Sequence, residues 1–123
     1  MSKYNYPYLG QGRINKMENA HTYNVGDILH CGWGWSMTLN TFYQVIKVTP
    51  KTIVIGKLKQ KDEGGWPTGY STPIKDEFDT TPSTGFPPTK RATPDESGRV
   101  LVNSHGNGAR LWDGKPQYYD RAD

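Results

Sequence analysis

Cysteine is all but missing from this sequence. A lone Cys31 forms no internal disulfide, and with no second Cys nearby it has no structural zinc motif. Aliphatic residues are sparse as well. Eighteen Ile, Leu and Val with three Phe make 21 of 123 residues, below the roughly 20 per cent that usually accompanies a folded core. Disorder also requires high net charge, and +3 is low. No apolar run nears the ~18 residues of a membrane span. Met1-Ser2-Lys3-Tyr4-Asn5-Tyr6 lacks the apolar centre of a signal peptide, so the expectation is a cytoplasmic protein with no membrane partner. Four Ala against 14 Gly and 9 Pro argue against a helical bundle.

What the chain does have is rings. Eight Tyr, four Trp and three Phe supply the core that the aliphatics cannot, since each buried ring removes on the order of 150–250 Å² from water. Length predicts one small domain. Residues 1–24, with Pro7, Gly10 and Gly12 among Tyr4, Tyr6, Tyr8 and Tyr23, show neither a period of two nor one of 3.6. They read as an N-terminal arm, flexible or laid over the domain through its tyrosines. Residues 25–123 read as a single small β domain.

The clearest local signal is a hairpin. Phe42-Tyr43-Gln44-Val45-Ile46-Lys47-Val48 is a β-branched and aromatic run; Pro50 presets the turn, and Ile53-Val54-Ile55-Gly56-Lys57-Leu58-Lys59 resumes strand character. A tight turn pairs Val48 with Ile53, Ile46 with Ile55, Gln44 with Lys57 and Phe42 with Lys59, unless a one-residue bulge shifts the register. Both faces then carry apolar residues, as a curled sheet or small barrel requires. Residues 61–89, broken by Gly64, Gly65, Pro67, Pro73, Pro82, Pro87 and Pro88, read as one long loop. A last hairpin is expected between Lys90-Arg91-Ala92 and Arg99–Asn103 around Pro94–Gly98. The fold expected is mainly β: a small rolled antiparallel sheet or SH3-like barrel of about five strands, with a flexible arm and one long loop.

Catalytic and metal chemistry find little footing. His30 and Cys31 are neighbours on a strand and point to opposite faces, and no pair of ligands has metal spacing. No residue sits in a nucleophile context that supplies base, orienter and anion hole together. The expectation is a non-enzymatic protein with no cofactor and no metal.

Charge is the stronger pointer. Residues 28–61 hold five Lys and no acid, whereas 62–79 hold five acids against Lys75 alone. On a strand Lys57, Lys59 and Lys61 project to one side at about 6.6–6.8 Å spacing, near the repeat of a nucleic-acid backbone. Trp33 and Trp35 precede them, Lys90 and Arg91 follow, and bases stack on exposed rings for roughly 1–3 kcal/mol each. The plain alternative is that the lysines guard an edge strand and the rings are core. Gly32-Trp33-Gly34-Trp35 is open in the same way, as a ligand shelf or as a bulged strand end.

Gly26-Asp27-Ile28, Trp33-Gly34 with Thr38 and Asn40, Phe42-Tyr43-Gln44-Val45 before a Lys-Thr turn, Arg91, and Leu111-Trp112-Asp113-Gly114-Lys115-Pro116 together carry a resemblance. Over residues 25–119 the chain resembles a family of small uncharacterised proteins encoded by bacteriophages, plasmids and integrative elements. Members often have Asp-Gln where this chain has Ser36-Met37. The resemblance implies a genomic setting and no specific activity.

Three functions are therefore expected to compete. The first is a binding protein of a mobile element that contacts nucleic acid through Trp33, Trp35, Lys57, Lys59, Lys61, Lys90 and Arg91. The second is an inhibitor of a host defence protein, as anti-CRISPR proteins are, or of a nucleic-acid-processing protein such as one of replication, with Trp33, Trp35, Trp66 and Trp112 as anchors and the acidic segment imitating nucleic acid. The third is sequestration of a small nucleotide by an oligomer. Trp112-Asp113-Gly114 is expected to be a structural turn.

Overall fold

The computed structural model describes residues 23–81 and 85–122. Most of the expected arm, residues 1–22, lies outside them. Among the described residues the chain forms antiparallel strands and no helix, and so none long and apolar enough to cross a membrane. The strands are β1 (Ile28–Trp33), β2 (Leu39–Val48), β3 (Ile53–Gly64), β4 (Thr68–Phe78), β5 (Thr89–Ala92), β6 (Val100–Leu101), β7 (Gly108–Leu111) and β8 (Gln117–Asp120). Their order across the sheet is β6-β7-β1-β2-β3-β4-β8, with β5 paired to β3 off this path. The sheet rolls: Thr38, just before β2, exchanges both backbone hydrogen bonds with Asp120 at the end of β8, at 2.8 Å each.

The hairpin of β2 and β3 turns where the sequence places it. Thr49 N donates to Thr52 O at 2.8 Å, and Thr52 N donates to Thr49 Oγ1 at 2.9 Å around Pro50. Val48 pairs with Ile53 as expected, but Val45 pairs with Ile55 and Lys47 with Val54. Ile46 is bulged out and exposed. Every pair beyond it slips by one, so Tyr43 rather than Gln44 faces Lys57. A one-residue slip exchanges the two faces of a strand, and here it sets Tyr43 and Val45, not Gln44 and Ile46, beside Lys57 and Ile55.

Residues 61–89 are not one loop. Lys61–Gly64 continue β3, Gly65–Pro67 make a hairpin turn, and Thr68–Phe78 form β4. Pro73 is accommodated at an irregularity: the register runs from Gln60↔Pro73 to Leu58↔Phe78, so four residues of β4 stand opposite Lys59 alone. Asp76 lies there at φ 66°. The buried Gln44 amide holds it, donating from Nε2 to Asp76 Oδ1 and accepting from Asp76 N, both at 2.8 Å. The last expected hairpin also differs. Its turn forms, with Gly98 N on Asp95 O at 2.9 Å, but β5 pairs with β3 while β6 pairs with β7. The two arms leave the turn for different neighbours.

Apolar residues are buried on both faces. One cluster gathers Leu29 and Cys31 of β1, Tyr43 and Val45 of β2, Ile53 and Ile55 of β3, Ala109 of β7, and Val100 and Val102. Tyr23 joins it and donates its hydroxyl to Gly98 O. Phe42, Leu58 and Tyr119 are buried outside that cluster. Phe42 packs at 5.2 Å from the His30 ring and edge-on at 6.1 Å from Trp112.

Candidate binding surface

The residues expected to contact a ligand do not share a face. Trp33 is half-buried: its Nε1 donates to Thr41 Oγ1 at 2.9 Å and its ring lies 4.8 Å from Phe86. It seals the first cluster and is not part of a shelf. Lys57 is only 7 % exposed. Its Nζ donates to Phe86 O at 3.4 Å and stands 3.9 Å from Asp79 Oδ2. The Asp79 carboxyl is held below the usual range by the Thr81 N–H first, with a lesser part from Lys57. Lys57 is thus a correction to the expected basic row: two and four residues after Ile55 and Ile53, it lies on their buried face of β3. Lys59 and Lys61 remain exposed on the outer half of β3. Lys90 and Arg91 sit on β5 beside Ile55 and Val54, and Arg91 Nη1 donates to Thr52 Oγ1 at 3.0 Å.

Another set of side chains does converge. Trp35 is fully exposed. It rides a turn whose entry residue, Gly34, has φ 126° and whose Cβ, if present, would lie 2.3 Å from Met37 O; only glycine fits there. Trp66, 74 % exposed, caps the β3–β4 turn, closed by Gly65 N on Thr68 O at 3.1 Å. Both turns are tied to β8. Thr38 bonds Asp120, and Arg121 N donates to Pro67 O at 2.8 Å. The two indoles therefore flank the end of one strand. Two residues before Asp120, Tyr118 is 48 % exposed and meets Tyr70, 53 % exposed, edge to face at 5.9 Å.

Charge around this aromatic end face is balanced. Lys61 pairs with Glu63 at 3.1 Å, and Arg121 pairs with Asp62 at 2.5 Å while covering the Tyr119 ring at 4.1 Å. Burial pushes the Asp62 carboxyl up, but hydrogen bonds from Ser71, Arg121 and Gln60 outweigh it and hold the group below its ordinary value. The charge counts along the chain gave no sign of these pairings, of which Asp62–Arg121 joins β3 to a residue past β8.

The remaining singular groups are structural in character. Cys31 is buried, and burial pushes its thiol up to about 11, so it is a neutral thiol at neutral pH. Trp112-Asp113-Gly114 is a turn: Gly114 has φ 85°, and Asp113 Oδ1 accepts from Lys115 N at 2.9 Å and Gln117 Nε2 at 3.0 Å. Trp112 Nε1 donates to Lys115 O at 2.8 Å. Trp112→Ala is accordingly expected to cost about 2–3 kcal/mol of stability, and Trp35→Ala less than about 0.5 kcal/mol. Thermal melts of the two variants check this, and equal shifts would contradict it.

Tyr70 and Tyr118 were missed as surface residues because the loop reading of 61–89 hid the strand alternation that turns Tyr70 outward opposite Tyr118. Neither a family model, a curated protein nor a solved structure matches the chain.

Proposed function

We propose that this chain is a non-enzymatic binding protein of a phage or other mobile element that holds a host protein on its aromatic end face. The supporting observation is the pair of exposed indoles, Trp35 and Trp66, on turns tied to the same strand end. Large exposed rings on a soluble domain mark contact sites, and Trp, Tyr and Arg dominate interface hot spots. The Tyr70–Tyr118 ring pair and Arg121 belong to the same strand end, where Lys61 and Arg121 are each paired with a carboxylate. A host defence or nucleic-acid-processing protein is the partner class that the resemblance to mobile-element proteins favours.

Nucleic acid is the second reading. Lys61 and Glu63 pair with Thr72 and Tyr70, so Lys61 shares the outward face with Tyr70 and Tyr118. Capture from host lysate with and without nuclease separates the two. For the protein reading, a partner survives nuclease treatment and is released at least tenfold faster by the Trp35→Ser, Trp66→Ser double variant, as hot-spot losses of ~2 kcal/mol or more require. Lys59→Gln with Lys61→Gln leaves that partner bound. Capture that nuclease abolishes, with affinity falling steeply as salt rises, would replace the protein reading by the nucleic-acid one.

A further inference from the structure

Away from the end face, a cavity of about 260 Å³ opens between β7, β1 and the Trp112–Gln117 turn. His30, Gly32, Gly108, Arg110, Trp112 and Asp113 line it. The volume, just under the ~300–1,000 Å³ of ordinary small-molecule sites, sets a limit near one mononucleotide unit.

The lining is polarised. Arg110 stands directly across the β1–β7 ladder from His30, and opposite residues of such a pair share a face. Arg99 adjoins them, because a Cβ on Gly108 would lie 2.2 Å from Arg99 Nε. Arg110 therefore supplies the guanidinium on the strand side of the cavity, its Nη1 also donating to Ser97 Oγ at 3.0 Å, while the Arg99 side chain fills the space over Gly108 and donates from Nη2 to Gly106 O at 2.7 Å. The turn side carries one carboxylate. Both in-turn hydrogen bonds to Asp113 go to Oδ1, which leaves Oδ2 as an acceptor.

Two rings are fixed in place. Trp112 is held by its indole N–H on Lys115 O and by its edge contact with Phe42. His30 Nε2 lies 2.6 Å from Asn40 Oδ1, while Asn40 Nδ2 donates to Tyr118 O at 3.0 Å. The amide oxygen is thus the atom facing His30, so Nε2 carries the proton and the ring is orientated. A cation at one end, a fixed indole, and an acceptor for an exocyclic amine match the parts of a nucleotide in order.

We propose that this cavity holds a single nucleotide unit, with its phosphate at Arg110 and its base beside Trp112 and Asp113. A free nucleoside monophosphate and the phosphorylated end of a strand present the same chemistry. The test is tryptophan fluorescence titration of the full chain with the four nucleoside 5′-monophosphates, the matching nucleosides, inorganic phosphate, and a single-stranded hexanucleotide with and without a 5′-phosphate. At least one phosphorylated ligand is expected to bind at least about tenfold tighter than its unphosphorylated form and than inorganic phosphate. Arg110→Gln, at an exposed position, should remove most of that difference without changing the melting temperature, and Asp113→Asn, which keeps the turn acceptor, should reduce the preference for amino-bearing bases. Tighter binding of the monophosphate than of the phosphorylated hexanucleotide identifies a free nucleotide, and the reverse identifies a strand end. Inorganic phosphate binding as well as any nucleotide, no binding by any probe, or an unaffected Arg110→Gln variant would overturn the proposal. The Trp35 and Trp66 variants leave this binding intact, so its failure is distinct from failure at the end face.

Discussion

Phe42→Ala is expected to lower the unfolding free energy by about 3–5 kcal/mol, a large share of the roughly 5–15 kcal/mol that holds a small domain together. Phe42 is fully buried, yet it lies outside the cluster built on Leu29, Tyr43 and Ile55. No second aromatic of the first cluster can close over the space it vacates, because β2 itself stands between. The ring also supports its neighbours. His30 and Trp112 pack on it from β1 and from the turn after β7, so truncation releases two side chains as well as opening a cavity. Phe42→Leu keeps most of the volume and should cost less than about 1.5 kcal/mol. Ile46→Ala, at the exposed bulge of the same strand, should fall within about 0.5 kcal/mol of the parent. Urea denaturation of the three variants measures the contrast. A loss below about 1 kcal/mol for Phe42→Ala would mean that the second face contributes little, and that one cluster alone stabilises the sheet.

The same residues show what the sequence made legible. The alternation of Tyr43, Val45, Ile53 and Ile55 with a Pro50 turn between them identifies the central hairpin, because period and turn chemistry act within a few residues. Apolar residues on both faces correctly implied a curled sheet. The bulge at Ile46 left no local mark, and one residue of slip set Tyr43 and Val45 beside Lys57 and Ile55; Lys57, on the buried face of Ile53 and Ile55, turns to Asp79 and Phe86 and leaves the expected basic row. Residues 61–78 looked like a loop for a related reason. Gly64, Gly65 and Pro73 break local pattern; Lys61–Gly64 pair with Gly69–Thr72 to make the hairpin, but the strand that covers the other edge of β4 lies far off in sequence, in residues 117–120. Pro73 is tolerated where the ladder is already irregular, as a missing N–H demands. Trp33 and Trp35 look equivalent as letters. Gly34 leaves the strand at φ 126° between them, so one indole closes the core and the other stands in solvent.

Gly69→Ala is expected to be among the most damaging methyl additions at the described glycines. Gly69 pairs with Gly64 on β3 and with Tyr119 on β8, so it is the crossing point of three strands. A Cβ there would lie 2.2 Å from Glu63 O and 2.4 Å from Tyr119 Oη. The first contact is backbone and cannot rotate away. The second is a buried tyrosine whose hydroxyl donates to Gly65 O at 3.0 Å and whose ring is covered by Arg121 at 4.1 Å. Relief therefore requires the β3–β4 hairpin to part from β8 or Tyr119 to leave its site, and overpacking of this kind costs about 3 kcal/mol or more. Gly65→Ala is the matched comparison, since nothing lies within 4 Å of a Cβ at that position and its φ is not in the left-handed region. It should be near neutral. Amide hydrogen exchange adds the local reading: in Gly69→Ala the amides of β4 and β8 should lose protection before those of β1 and β2, whose pairing does not involve Gly69. Because Trp66 and Tyr118 are positioned by these same strands, the variant should also weaken binding of the partner proposed for the end face. Melting temperatures of Gly69→Ala and Gly65→Ala that agree within a degree would show that β8 is not packed on Gly69, and with it that the two exposed indoles are not held to a common strand end.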